Sequence, residues 1–183
     1  MLHLYSSLIL LFLFAACGSA PKTNAASIVA GETENSAPVL PLSCADIPHL
    51  SSVNLDEDGR SSLELESDGK ILNHSGEHIA TMSPDCSVIY SGREPQVIAQ
   101  ITQANTFQLE GEVLGKLDQK GHITTKTGAV GIAIDFEGNV HGEFEYSSFI
   151  VEGIKREMDL RIATIFVMGG SAALGRWENR KPF

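Results

Sequence analysis

One short segment recurs through the middle of the chain, and it restricts the fold more than any other feature. Leu117-Asp118-Gln119-Lys120-Gly121-His122-Ile123 aligns with Ile134-Asp135-Phe136-Glu137-Gly138-Asn139-Val140 at an offset of 17 residues. Upstream, Ile101–Phe107, Met82–Val88 and Leu65–Ile71 fill the same slot, and Leu55–Gly59 is a truncated first copy. The first turn position holds Asp118, Asp135, Ser83 and Thr102, whose side chains can accept a hydrogen bond from the turn's own backbone. Pro84 stands second, where its fixed φ is already correct. The fourth position reads Gly59, Gly69, Cys86, Asn105, Gly121 and Gly138. That pattern predicts a type I turn followed by a left-handed residue, a common short hairpin connection. Cys86 is the exception, and a bond to Cys44 would compensate its strain.

A second set of turns alternates with the first: Asn73-His74-Ser75-Gly76, Gln108-Leu109-Glu110-Gly111 and Thr125-Lys126-Thr127-Gly128. Two turns per repeat leave strands too short for parallel crossovers. The expected fold is mainly β: an antiparallel meander of ten or so short strands from Arg60 to about Ile154, with a helix packed on it. Period 2 places His78-Ala80-Met82, Val97-Ala99-Ile101, Val113-Gly115-Leu117 and Val130-Ile132-Ile134 on one buried face. Their neighbours Gln96, Gln100, Glu112 and Lys116 suit water. The middle column, Ala80, Ala99, Gly115 and Ile132, is mostly small and leaves room for a close neighbour. Residues Glu152 to Met168 are the predicted helix, with Gly169-Gly170 as its stop. The β-branched cluster Ile162, Thr164, Ile165 and Val167 also fits a strand.

The N-terminus carries an address. Leu8 to Ala16 is an apolar run too short to span a bilayer, followed by small residues, as in a signal peptide. Its end, Phe14-Ala15-Ala16-Cys17-Gly18, resembles the lipobox of bacterial lipoproteins. That resemblance implies cleavage after residue 16, acyl chains on Cys17, an anchor in the membrane and, from Gly18, an outer-membrane destination in the cell envelope. The alternative is an ordinary secretory peptide with an incidental Cys17. Residues 17–42 have no hydrophobic period and read as a flexible tether reaching about 25–30 Å. Residues 43–154 then form the β-hairpin repeat domain, and residues 155–183 the C-terminal helix and tail. Of the three cysteines, Cys44 and Cys86 remain for the domain. In an oxidising compartment they most simply pair, and two free buried thiols are the alternative.

Charge and motifs narrow the function. The chain carries a net charge of -10, which disfavours nucleic acid as a partner. From Lys155 onward six Lys and Arg face three Asp and Glu, so the acidity lies upstream; the basic end, with Trp177 and Phe183, reads as a solvated tail, with contact to anionic lipid as the alternative. No catalytic signature is present: no Gly-x-Ser-x-Gly, His-Glu-x-x-His, Cys-x-x-Cys or dinucleotide fingerprint. His74 and His78 flank one turn, and His122 and His141 lie near equivalent turns one repeat apart. They are the weak candidates for a metal, but their spacing enforces no convergent site, and no cofactor is expected. Asp56-Glu57-Asp58-Gly59 carries too few ligand positions for a calcium loop. The leading expectation is a membrane-anchored, non-enzymatic structural or interaction module that meets other envelope proteins. The alternative is a periplasmic binding module for a divalent cation or small ligand, and a third class is a hydrolase whose site is assembled from unrelated turns.

Overall fold

The computed structural model describes residues 43–54, 61–102, 104–144 and 149–179. Twelve strands follow one another and pair with their sequence neighbours: β1 (Leu50–Asn54), β2 (Ser61–Leu65), β3 (Lys70–Asn73), β4 (His78–Met82), β5 (Val88–Tyr90), β6 (Gln96–Ile101), β7 (Thr106–Leu109), β8 (Glu112–Leu117), β9 (Ile123–Thr125), β10 (Val130–Ile134), β11 (Val140–His141) and β12 (Phe149–Glu152). The helix α1 (Glu157–Glu178) completes the chain. All pairings are antiparallel, and β12 returns to lie beside β1. An isolated bridge between Asn139 and Ile150, with the Val151 N–H donating to the Gly138 carbonyl at 2.8 Å, brings β12 against β11 as well. The sheet is therefore a nearly closed barrel.

The turns have the dihedrals the sequence requires. Gly69, Cys86, Asn105, Gly121 and Gly138 all have positive φ, and each closes its turn by donating to the carbonyl three residues back. Gly59 and its truncated repeat lie outside the described residues. The second set of turns divides in two. Those ending at Gly76 and Gly128 have the same hydrogen bonds as the first set, whereas Glu110-Gly111 forms a two-residue hairpin with both φ positive, at 52° and 85°. At Gly121 a side chain would meet a second obstacle besides its φ of 83°: an added Cβ would lie 2.7 Å from the Leu160 carbonyl oxygen of α1. Gly121→Val is expected to destabilise by at least about 1–2 kcal/mol from the left-handed backbone alone. Urea unfolding measures this, and an unchanged midpoint would contradict the turn geometry.

The expected buried face is corrected at one position per repeat. A β-bulge places an extra residue opposite its partner strand in β2, β4, β6, β8 and β10: Ser62, Ile79, Ile98, Leu114 and Gly131. Past each bulge the alternation slips by one, so two successive residues face inward. Ile79, Ile98 and Gly131 are buried, while the preceding His78, Val97 and Val130 face water. The small column behaves as expected, with Ala80, Ala99, Gly115 and Ile132 all buried. A bulge at the same place in alternate strands increases coiling, which is what bends a meander this long into a barrel.

The helix also departs from expectation, in both position and surroundings. It begins at Glu157, because Phe149–Glu152 continues the sheet as β12. At its start the buried Asp159 accepts bonds from the backbone N–H groups of Lys155 and Arg156 and from the Arg156 guanidinium, a reciprocal cap. Gly169-Gly170 lies inside the helix rather than ending it. From Asp159 to Gly170 every residue is buried, so the wall covers all sides of these three turns. Small residues permit the fit. A Cβ on Gly169 would stand 2.8 Å from Val88 Cγ2 and 3.1 Å from Ala99 Cβ, and one on Gly170 would stand 2.9 Å from Leu63 Cδ1. Thr164 Oγ1 donates to the Gly121 carbonyl at 2.7 Å, fixing the helix to the turn between β8 and β9. The helix is long and apolar enough to cross a membrane, but 72% of that window is buried within the fold.

Cys44 and Cys86 form a disulfide, with their Cα atoms 5.2 Å apart and both residues buried. Cys86 has φ 64°, the left-handed value its place in the repeat demands.

Candidate functional site

Antiparallel hairpins send their turns alternately to opposite ends of the barrel. The first set, around residues 66–69, 83–86, 102–105, 118–121 and 135–138, shares one end with the start of α1. There a cleft of about 530 Å³ opens between the β8–β9 turn, the β10–β11 turn and the first helical turn. Lys120, His122, Asp135, Glu137 and Glu157 supply its polar lining. Ile134 and Leu160 supply apolar surface, with Phe136, 56% exposed, at the margin.

The same turn chemistry positions the polar groups of the β8–β9 and β10–β11 turns. Asp118 Oδ1 accepts from the backbone N–H groups of Lys120 and His122 at 2.8 and 2.9 Å, and its Oδ2 stands 3.3 Å from His122 Nδ1. One repeat later Asp135 accepts from the Asn139 backbone and side-chain amides, both at 2.8 Å, and pairs with His141 Nε2 at 3.1 Å. Burial alone would raise the Asp135 carboxyl, but the bonds from Asn139 and His141 outweigh it and hold its pKa at about 2. Asp135 is thus an anion at any ordinary pH. The cleft lining contains carboxylates, an ammonium and an imidazole but no hydroxyl or thiol. The arrangement suits binding by charge and shape.

The four candidate histidines do not converge. His74 lies in the β3–β4 turn at the opposite end and is exposed, as is His78, which bonds to Thr81 Oγ1 and Ser91 Oγ at 2.9 and 3.2 Å. His122 reaches the cleft, and His141 touches it through Asp135. No group of three His, Cys, Asp or Glu able to hold a metal ion is found among the described residues. His78 is not the partly buried histidine its column suggests, because the bulge at Ile79 turns it outward. The calcium-like stretch 56–59, the lipidation candidate Cys17 and the whole of residues 1–42 lie outside the described residues.

The basic end of the chain is corrected too. Arg156 pairs with Asp46 and Asp159, and Arg176 donates to Glu110 and Gln96. Trp177 Nε1 donates to Glu77 at 3.2 Å, so these residues belong to the folded domain. Phe183 lies outside the described residues. Arg161 is enclosed: it is 7% exposed, and its Nε and Nη2 have no hydrogen-bond partner among the described residues. Burial pushes its guanidinium pKa down, opposed by the charge of Asp118. Nothing in the sequence pattern separates this arginine from its exposed neighbours except its place between the apolar Leu160 and Ile162. No family description, no curated protein and no solved structure matches the chain.

Proposed function

We propose that the chain is a lipid-anchored protein of the bacterial cell envelope, held by Cys17 in the outer membrane, and that its barrel is a non-enzymatic structural or interaction module. The observation that carries the reading of the barrel is its filled interior. Because α1 occupies the inside from Asp159 to Gly170, the barrel offers no lumen of the kind that holds a carried ligand, and contacts fall to its outer surface and ends. A buried disulfide suits an oxidising compartment. The lipobox-like run supplies the anchor, since two or more acyl chains make membrane residence stable where one is marginal.

Two measurements test this. Cys17→Ser is expected to move the protein from the membrane fraction to the soluble fraction; unchanged fractionation would refute the anchor. Photo-crosslinking residues placed at the exposed Val97, Val130 and Phe136 in intact cells are expected to trap discrete protein partners. The absence of any crosslinked protein from all three sites would defeat the interaction reading.

The second reading, a binding module for a small ligand, is favoured by the end cleft with its charged and apolar lining. Its divalent-cation form has no comparable support, since the histidines are dispersed over both ends.

A further inference from the structure

The described chain begins at the same end of the barrel as the cleft. Cys44 is fixed there by its bond to Cys86 in the β4–β5 turn and by its N–H to the Pro84 carbonyl, and Asp46 pairs with Arg156 just ahead of α1. The segment 17–42 therefore joins the domain at this end. Two of the four large apolar side chains exposed among the described residues stand here as well. Phe136 is 56% exposed in the β10–β11 turn, and Met158 is 40% exposed in the first turn of α1. The other two, Val97 and Val130, lie at the starts of β6 and β10, next to the turns of the opposite end. A lone exposed apolar side chain needs no explanation, and what sets Phe136 and Met158 apart is their place at the root of the tether.

Magnitudes decide which end can meet a membrane. The helix runs the length of the barrel, from Thr164 bonded to the β8–β9 turn at one end to Arg176 bonded to Glu110 of the β7–β8 hairpin at the other. Its 22 residues measure about 33 Å. The tether reaches about 25–30 Å on average. Contact through the near end leaves the tether slack, whereas contact through the far end would stretch it past the length of the domain. A short flexible tether also holds the domain at an effective concentration on the order of 1 mM, so a contact too weak to persist alone is populated.

We propose that this end of the barrel rests on a zwitterionic lipid surface, with Phe136 and Met158 entering the headgroup layer. This rests on the lipid anchor proposed above and adds which face meets the membrane. Charge selects the lipid. The cleft that Phe136 borders carries the carboxylates Asp135, Glu137 and Glu157 against the ammonium of Lys120, with the His122 ring beside them. That excess of negative charge is repelled by a net anionic surface, whereas the ammonium and phosphate of a zwitterionic headgroup find partners of both signs. Val97 and Val130, near the opposite end, stay free for a protein partner.

The test uses the mature chain, acylated on Cys17 with its disulfide intact, reconstituted in phosphatidylcholine vesicles. With Cys17 acylated and Cys44 bonded to Cys86, each of Phe136→Cys, Met158→Cys, Val97→Cys and Val130→Cys supplies one free thiol for a nitroxide label. Lipid-soluble oxygen and a water-soluble nickel chelate then read the depth of each label. The labels at positions 136 and 158 are expected about 5–10 Å into the boundary between headgroups and acyl chains and hidden from nickel, and those at 97 and 130 are expected to stay in water. Adding phosphatidylglycerol to the vesicles is expected to lift the first pair back toward water. Equal nickel access at all four positions, burial of 97 and 130 instead, or deeper burial of 136 and 158 with phosphatidylglycerol would each overturn the proposal. Loss of nickel access at 136 and 158 with rising concentration of vesicle-free Cys17→Ser protein would assign the face to a second copy and overturn it too. Mass spectrometry of the same sample reads the anchor separately. A chain without acyl groups overturns the anchor and this contact with it, whereas an acylated chain with exposed labels overturns the contact alone.

Discussion

Gly169→Leu is expected to be the most damaging single substitution in the helix, costing about 3 kcal/mol or more and leaving the barrel unable to close around α1. The first added carbon would already stand 2.8 Å from Val88 Cγ2 and 2.9 Å from Val88 Cβ. The remaining carbons have nowhere to go, because the helix is covered on all sides at this level. Intrinsic helix preference acts in the opposite direction, favouring alanine or leucine over glycine by up to about 1 kcal/mol in a helix interior. Gly175 separates the two effects. It lies in the same helix with nothing within 4 Å of an added Cβ, so Gly175→Ala is expected to stabilise by about 0.5–1 kcal/mol. A double-mutant cycle places the clash: Gly169→Ala combined with Val88→Ala should show a favourable coupling of about 0.5–3 kcal/mol. Chemical denaturation reads all of these. A Gly169→Leu protein as stable as the parent would mean that the helix is not enclosed.

These glycines mark where sequence reasoning succeeds and where it stops. The turns at Gly69, Asn105, Gly121 and Gly138 were readable because a positive φ is a local demand that few residues meet. The small column at Ala80, Ala99 and Gly115 was readable for the same reason, since a missing side chain announces a close neighbour. Gly169-Gly170 carries the same message, yet in isolation a glycine pair after an apolar periodic run reads as a helix stop. Packing against Val88 and Leu63 overrides that local preference. The bulges are harder, because the extra residue is set by how strands pair around a curved sheet rather than by residue chemistry. Their one trace is an inward-facing pair, such as Ile79-Ala80 or Ile98-Ala99, that breaks strict alternation. Arg161 was hidden by composition: counted among six cations it belonged to a basic tail, and only enclosure of the helix sets it apart. The cleft was only half legible. His122 and Asp135 came from the repeat, but their meeting with Glu157 and Leu160 depends on where the helix enters the barrel.

Removing the disulfide is expected to cost about 4 kcal/mol, and the choice of replacement residue should reveal what the repeat demands at Cys86. The bond joins residues 42 apart in sequence, and closing a loop of that size restricts the unfolded chain by about 4 kcal/mol. It also holds the segment around Cys44 against the β4–β5 turn, where the Cys44 N–H donates to the Pro84 carbonyl at 2.9 Å. Cys86 meanwhile occupies a left-handed position, at φ 64°, that costs any residue with a Cβ about 1–2 kcal/mol. The two contributions have opposite signs and separate cleanly in a Cys44→Ala background. With Cys86→Ala the loop constraint is lost and the backbone strain remains. With Cys86→Gly the constraint is lost and the strain is relieved, so this variant should be more stable than the alanine one by about 1–2 kcal/mol, offset in part by glycine's greater freedom when unfolded. The other four described turns of the set set the scale, since Gly69, Gly121 and Gly138 are glycine and Asn105 is the residue that best tolerates this region after it. Equal stability of the two variants would show that Cys86 is not strained in solution. A loss well under 1 kcal/mol in both would show that the unfolded chain does not gain the freedom that loop closure removes.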